Sequence, residues 1–160
     1  MTGYIMGLRA KVGSQPIMQV GASVLVVDED GRLLLQRRGD NGSWAYAGGS
    51  VELYEHVEAA ARRELAEETG LIARDLELFG VFSGPEMAHV YPNGDQVSNI
   101  DLLFVCRSWE GELTTAGAEP GEVLELEFFA PDALPVPIFM PNRPGLAAWL
   151  EAEGYPVPWR

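Results

Sequence analysis

One short segment, Val57–Thr69, constrains what this chain can fold into more than any other stretch. It is rich in alanine, contains neither glycine nor proline, and is followed directly by Gly70, so it predicts a helix that ends there. At about 100° per residue, its apolar residues share one side of that helix and predict the face that packs against a core. The residues of this stripe are Val57, Ala60, Ala61 and Leu65.

Three glutamates of the same helix continue the apolar stripe instead of lying opposite to it. They are Glu64, Glu67 and Glu68. Residues three and four apart are neighbours, so these carboxylates repel one another, and partial burial adds a desolvation cost. This crowding is unfavourable unless a cation lies among the carboxylates or some of them are protonated. A hard divalent cation meets this need, and Mg²⁺ is usual where phosphates are the other ligands.

The ordinary alternative is an acidic helix face that is exposed to solvent, which is common in acidic chains. Arg63 does not replace the cation, since at i+4 it reaches Glu67 but not all three glutamates. The position of the acids on the apolar side of the helix argues against a solvated face.

Composition places the chain among ordinary globular proteins. With 160 residues, 47% hydrophobic and 22% charged, it is long enough for one domain with a substantial core. Eleven basic and twenty-four acidic residues give a net charge of −13, which disfavours binding to duplex nucleic acid or to an anionic membrane. Its one cysteine, Cys106, excludes an internal disulfide framework and a zinc site made of cysteines.

The sequence shows no targeting signal. Its first residues lack the long apolar region of a signal peptide, and no apolar run approaches the roughly 20 residues that a membrane helix needs. We therefore expect a cytoplasmic protein, and a single cysteine is compatible with a reducing compartment.

Short apolar runs around the central helix predict strands. They cover residues 21–27, 33–35, 76–82, 97–106 and 123–129, and the first two flank a turn and predict a hairpin. Residues 92–95 predict another hairpin turn, with Asn-Gly at its centre. A short closing helix is predicted at 145–153, and residues 1–16 are interpreted as an arm before a single domain of residues 17–160. This order predicts an α/β (α+β) fold in which helices pack on a mixed sheet.

The residues around the central helix resemble the Nudix box, the signature of a family of hydrolases. Gly49 is followed after five residues by Glu55 and, after seven more, by Arg63-Glu64-Leu65-Ala66-Glu67-Glu68-Thr69-Gly70-Leu71. All nine defining positions match within 23 residues, which makes the resemblance far more specific than a lone glycine fingerprint. Weaker similarity covers about residues 17–135, although Ala47 replaces the proline that is usual before the two glycines.

The resemblance implies an α/β/α sandwich with a mixed central sheet and a metal-dependent activity. It implies that Glu64, Glu67 and Glu68 bind Mg²⁺, or Mn²⁺ in its place, and that the carbonyl of Gly48 is a further ligand. In the family one of the helix glutamates acts instead as the general base, and members differ in which one. Glycine at position 48 suits a backbone ligand because it lets the main chain approach an ion closely.

Other matching positions are implied to support the metal site. Arg63 is implied to orient the glutamates, and Gly49, Glu55 and Gly70 to shape the loop and the helix ends. The alternatives are an ordinary surface ion pair for Arg63 and a favourable charge at a helix N-terminus for Glu55. A distant loop acid is a ligand or base in some members; Glu122 is the first candidate here and Glu119 the second, against a solvated loop acid.

Substrate contacts are sought near the ends of the predicted strands. Arg37 is favoured over Arg38 as a contact to the outer phosphate. Base or ribose recognition needs stacking surfaces, and the aromatic candidates are Trp44, Tyr46, Phe82 and Tyr91. The alternative for these aromatic residues is packing in the core or at its rim.

The resemblance implies hydrolysis of the pyrophosphate linkage in a nucleoside diphosphate joined to another group, by attack of water at phosphorus. Candidate substrates are nucleoside triphosphates, nucleotide sugars such as ADP-ribose, and dinucleoside polyphosphates. The alternative is a non-catalytic nucleotide-binding module, which the intact box disfavours. The expected partner is thus a small nucleotide and not a nucleic-acid duplex or a membrane, and a homodimer is the expected assembly.

Overall fold

The computed structural model describes residues 3–160, and in that part it contains three α-helices and ten strands, besides two short 3₁₀ helices at Pro85–Met87 and Met140–Asn142. The helices are α1 (Tyr4–Val12), α2 (Val57–Thr69) and α3 (Arg143–Ala152). The strands, β1 to β10 in chain order, are Ile17–Val26, Leu33–Arg38, Trp44–Ala45, Ala47–Ser50, Ile72–Ala73, Glu77–Phe82, Ala88–Val90, Gln96–Cys106, Trp109–Glu110 and Val123–Phe129. The central helix therefore has the predicted bounds.

The main sheet is mixed, as the sequence predicts. Its order is β4-β1-β8-β6, with β7 also paired to β8. β1 and β8 run parallel, while the other pairs are antiparallel. The other strands of the described residues form two smaller sheets, with the strand orders β10-β2-β3 and β5-β9.

Helices cover both faces of β1, because its successive side chains point to opposite sides of the sheet. Val24 and Val26 belong to a buried cluster with Ala61 and Leu65 of α2. Leu25 belongs to a second cluster, which contains Leu146, Trp149 and Leu150 of α3. The two cores on opposite faces of the sheet give the predicted α/β/α arrangement.

The prediction of a hairpin for residues 21–35 is confirmed at its turn, but it is wrong for the two strands, which do not pair with each other. Asp28 accepts hydrogen bonds from the backbone N–H groups of Asp30 and Arg32, and one bridge joins Val27 to Leu33. After that bridge the strands enter different sheets. The reason is that β4 and β8 already occupy the two edges of β1, so β2 pairs with β10 and β3 instead.

Most of the segment interpreted as an arm forms helix α1, for which the sequence gives no clear period. The first two residues of that arm lie outside the described part of the chain. Arg9, buried although charged, donates hydrogen bonds to the carbonyl oxygens of Gly13, Gln15 and Gln96 and so attaches α1 to the domain. Within residues 3–160, none of the helices has the length and apolar character that crossing a membrane requires.

Candidate active site

A cavity of about 870 Å³ opens beside the C-terminal half of α2 and is lined by all the predicted metal ligands. The acidic part of its lining, here called the acidic end, consists of Gly48, Glu64, Glu67, Glu68, Glu119 and Glu122. The part that α1 and the segment of residues 91–95 supply, here called the distal end, consists of Ile5, Met6, Arg9, Tyr91, Asn93 and Asp95. Helix α2, the loop of residues 117–122 and helix α1 thus contribute to one site.

Glu68 is the most deeply buried acid of the acidic end, with 4% of its surface exposed. Its carboxylate accepts a hydrogen bond of 2.9 Å from the Gly48 N–H. Burial, together with the nearby charges of Glu64 and Glu122, raises the pKa of Glu68 to about 8. Burial penalises the ionised form of Glu68 more than the hydrogen bond from Gly48 stabilises it, so a nearby cation would favour the carboxylate.

Glu64 lies beside Glu68 with only 13% of its side chain exposed. Burial raises the pKa of its carboxyl, although Arg63, whose guanidinium is 2.6 Å away, opposes that effect. Gly49 makes this position available, since a Cβ there would lie 2.4 Å from the Glu64 carboxyl carbon. The glycine of the motif is therefore required for close approach of the backbone to the acid.

Arg63 connects the loop before α2 with the acids of the helix. Its guanidinium donates to both carboxylate oxygens of Glu55, at 2.8 and 3.0 Å, and to the Ser50 carbonyl at 3.1 Å. The hydrogen bond from Arg63 is the main reason why the pKa of Glu55 is lowered. These contacts hold Glu64 against the loop, which is the geometry that an orienting role requires. Gly70, with φ of 77°, ends the helix in the left-handed conformation that favours glycine.

The remaining acids line the cavity but are more exposed. Half of the Glu67 side chain is exposed, and its carboxylate is 3.5 Å from Arg63. Glu122 accepts a hydrogen bond of 3.1 Å from the Glu119 N–H, and its charge contributes to the raised pKa values of Glu64 and Glu68. Within residues 3–160, no group of three or more acidic, histidine or cysteine side chains is close enough to surround an ion in this arrangement. The acids share a cavity without converging on one point.

The donor atoms at the acidic end nevertheless fit a hard divalent cation. They are oxygen atoms only, which is the ligand type that Mg²⁺ and Mn²⁺ favour. Gln36, buried beside Glu68, adds a side-chain Oε1 that has no hydrogen-bond donor. Sequence reasoning missed Gln36, although a polar residue directly after the buried run Leu33–Leu35 is a signal that could have found it.

The structure does not bring Arg37 into the cavity, contrary to the prediction from the sequence. Side chains alternate along β2, so Gln36 and Arg38 line the cavity while Arg37 pairs with Glu125 at 3.3 Å. Arg38 makes two hydrogen bonds to Asp40, of 2.9 and 2.8 Å. Arg38, and not Arg37, is thus the arginine of β2 that can approach a bound molecule.

Trp44 and Tyr46 do not line the main cavity either. Trp44 is buried against Phe129, with ring centroids 4.9 Å apart, in the core beneath α3. Tyr46 is buried too, and its hydroxyl donates to Asp101 over 3.2 Å beside a small adjoining cavity of about 90 Å³, which Gly48 and Gly49 also line. Of the aromatic candidates, Tyr91 is the one that lines the main cavity.

Comparison with known proteins gives one family and a consistent set of relatives. A family model described as NUDIX domain matches residues 18–150. An ADP-ribose pyrophosphatase of Methanocaldococcus jannaschii is 36% identical over 113 residues, which are 69% of this chain and 61% of that protein. A MutT-like protein of Streptomyces ambofaciens is 48% identical over 69 residues, 43% of this chain and 45% of that protein. The chain therefore matches about half to three fifths of the length of these two relatives.

A solved structure supports the same relationship in three dimensions. It is that of a MutT NUDIX hydrolase from Burkholderia pseudomallei, with a TM-score of 0.69 and 30% sequence identity. The match covers 82% of this chain and 98% of that one, so the similarity extends well beyond the helix and its loop.

Proposed function

The chain belongs to the Nudix family, and from that membership and its acidic cavity we propose that it is a metal-dependent pyrophosphohydrolase. It cleaves the pyrophosphate linkage of a nucleoside diphosphate joined to another group, through attack of water at phosphorus. Substrates in this class are nucleoside triphosphates, nucleotide sugars such as ADP-ribose, and dinucleoside polyphosphates. The observation that carries the proposal is the buried carboxyl of Glu68 beside Glu64 in a cavity large enough for a nucleotide.

The residues that would hold the metal are the carboxylates of Glu64, Glu67, Glu68 and Glu122 and the main-chain carbonyl of Gly48. A bound Mg²⁺ or Mn²⁺ ion would neutralise phosphate oxygens and lower the pKa of a coordinated water. Gly48 and Arg63 keep two of these acids in place, since the Gly48 N–H donates to Glu68 and the guanidinium of Arg63 donates to Glu64. One of the three helix acids accepts the proton of the attacking water as general base.

The direct test is turnover of a panel of nucleoside diphosphate derivatives, in Mg²⁺ and in EDTA, with release of nucleoside monophosphate as the readout. The proposal expects release in Mg²⁺ and none in EDTA. Binding of nucleotides without turnover of any panel member would overturn it in favour of a non-catalytic module.

Replacement of the loop acid Glu122 by glutamine is expected to lower kcat about tenfold or more, because a carboxylate that supports a metal site is then lost. Glu112→Gln is the control for the loss of one negative charge, since Glu112 is an exposed acid that precedes the same loop and does not line the cavity. The measurement is kcat against Mg²⁺ concentration for both variants. Equal activity of Glu122→Gln and the control would remove Glu122 from the site.

We further propose that residues 17–160 form a single domain and that the protein acts in the cytoplasm as a homodimer. The free, buried thiol of Cys106 is compatible with a reducing compartment. Met18, Val20 and Val81 are exposed apolar side chains of the main sheet, and such residues favour an interface. Sedimentation velocity tests the assembly, and a monomer at the assay concentration would contradict the dimer.

A further inference from the structure

Helix α1 lines the proposed substrate cavity although it lies before residues 18–150, which the family model matches. Its side chains Ile5, Met6 and Arg9 belong to the distal end of the cavity. This part of the site is therefore a feature of the present chain that the shared motif does not supply. The inference drawn from it rests on the proposed function, because it concerns the same cavity.

Contacts near both ends hold α1 over the cavity. Near its start, the Tyr4 N–H donates a hydrogen bond of 2.7 Å to the Glu52 carboxylate, in the loop that precedes α2. Near its end, the buried Arg9 guanidinium donates to the carbonyl of Gln96 and lies 3.7 Å from the carboxylate of Asp95. Helix α1 is thus joined both to the loop of the motif and to the turn between β7 and β8.

Besides the paired charges of Arg9 and Asp95, the distal end combines apolar surface with an uncharged polar group. Ile5, Met6 and the ring of Tyr91 supply the apolar part, while Asn93 supplies an amide group that hydrogen bonds to Asp95 hold in place. Sites that bind small organic molecules have this composition, in which apolar walls give affinity and a few polar groups fix orientation. A sugar ring, which combines apolar C–H faces with hydroxyl groups, has the matching chemistry.

The charges at the distal end disfavour a phosphate group there. Among the described residues that line the cavity, the basic side chains are Arg9 and Arg38. Arg9 is surrounded by carbonyl oxygens and Asp95, and Arg38 is paired through two hydrogen bonds with Asp40. An incoming phosphate would meet carboxylates and two arginines that already have anionic partners, whereas hydroxyl groups would find acceptors.

We propose that α1 forms one wall of a subsite that binds the neutral, hydroxyl-bearing part of the substrate. The protein is then selective for a nucleoside diphosphate joined to a sugar over the matching nucleoside triphosphate. In this arrangement the pyrophosphate lies toward the acidic end, and the uncharged ring lies between α1 and the turn that carries Asn93.

Met6→Trp tests the wall, because Met6 is 59% exposed and a larger side chain there fills the cavity without disturbing the packing of α1. We expect KM for the nucleotide sugar to rise about tenfold or more while kcat changes little, since binding and not chemistry is affected. Ala10→Trp is the control, as Ala10 is exposed on the same helix and is not a lining residue. An unchanged or lower KM in Met6→Trp would overturn the proposal.

Asp40→Asn tests the charge argument, because it leaves Arg38 without its anionic partner and available to a phosphate. We expect kcat/KM for the nucleoside triphosphate, relative to the nucleotide sugar, to rise about tenfold. The exposed Asp132→Asn, outside the cavity, controls for the general loss of one negative charge. Wild-type preference for the triphosphate, or no change of preference in Asp40→Asn, counts against the subsite.

Binding measurements separate this inference from the proposed function. Calorimetry with a methylene analogue of the nucleotide sugar, which cannot be hydrolysed at its bridge, reports on the subsite even if no panel member is turned over. Weaker binding by Met6→Trp than by Ala10→Trp would then support the subsite while the hydrolase proposal fails. Turnover by all variants with equal binding would leave the hydrolase proposal standing and overturn the subsite.

Discussion

Glu68→Gln is expected to lower kcat about 100-fold to 1,000-fold or more and to leave the fold intact. Its carboxylate is the buried anionic group of the acidic end, and an amide of the same shape cannot supply the negative charge that a metal or a proton requires. The amide oxygen can still accept the hydrogen bond that the Gly48 N–H donates. The measurement is kcat in saturating Mg²⁺, together with the thermal unfolding curve of the variant.

Glu58→Gln is the matched control for this prediction. Glu58 lies on the same helix, but it is exposed and pairs with Arg62 at 2.9 Å, away from the cavity. Its replacement is expected to change kcat less than twofold, as is usual for exposed charges outside a site. Full activity of Glu68→Gln would remove Glu68 from the proposed mechanism, whereas equal losses in both variants would indicate an effect on the helix as a whole.

The core of the site was predictable from the sequence because it depends on one helix. The helical period fixes which side chains share a face, so the burial of Leu65 and Glu68 on the same side follows from their spacing. Glu67 shows the limit of that argument, since half of its side chain is exposed at the end of the same stripe. A helical-wheel projection gives the direction in which each side chain points around the helix axis, but it does not give how deeply that side chain is buried.

The parts of the site that lie on other elements were less predictable. Three consecutive leucines in β2 give no period-two signal, so the sequence could not tell that Gln36 and Arg38 line the cavity while Arg37 faces Glu125. Helix α1 was missed for a different reason. It is attached through contacts of Arg9 and Tyr4 with residues far along the chain, and local sequence does not report such contacts.

In the metal-free protein, the free energy of unfolding is expected to fall as the pH rises from about 5 to about 8. The pKa of Glu68 is about 8 in the folded state, against 4.5 for an unperturbed carboxyl, so between these values the folded state holds a proton that the unfolded state has released. Stability therefore decreases with pH over this window, by up to about 1.4 kcal/mol per pH unit for one group. Below the window both states are protonated and the contribution of Glu68 is fully present.

Thermal unfolding in EDTA at several pH values measures this effect, and Glu68→Gln isolates it from the other groups that titrate. The expected loss for the wild type is roughly 4 kcal/mol across the window, or on the order of 10 °C in Tm for a domain of this size. Glu64 and Asp101 also have raised pKa values through burial, whereas the lowered pKa of the half-buried His89 acts in the opposite direction, so the variant is expected to keep only a smaller slope. Added Mg²⁺ is expected to stabilise the wild type most above pH 7, since binding requires the ionised carboxylate. The wild-type Tm in EDTA could instead stay level or rise from pH 5 to 8, with a parallel curve for Glu68→Gln. That result would mean that burial does not make the ionised carboxylate of Glu68 unfavourable, and that Glu68 is not the acid that makes a cation favourable at this site.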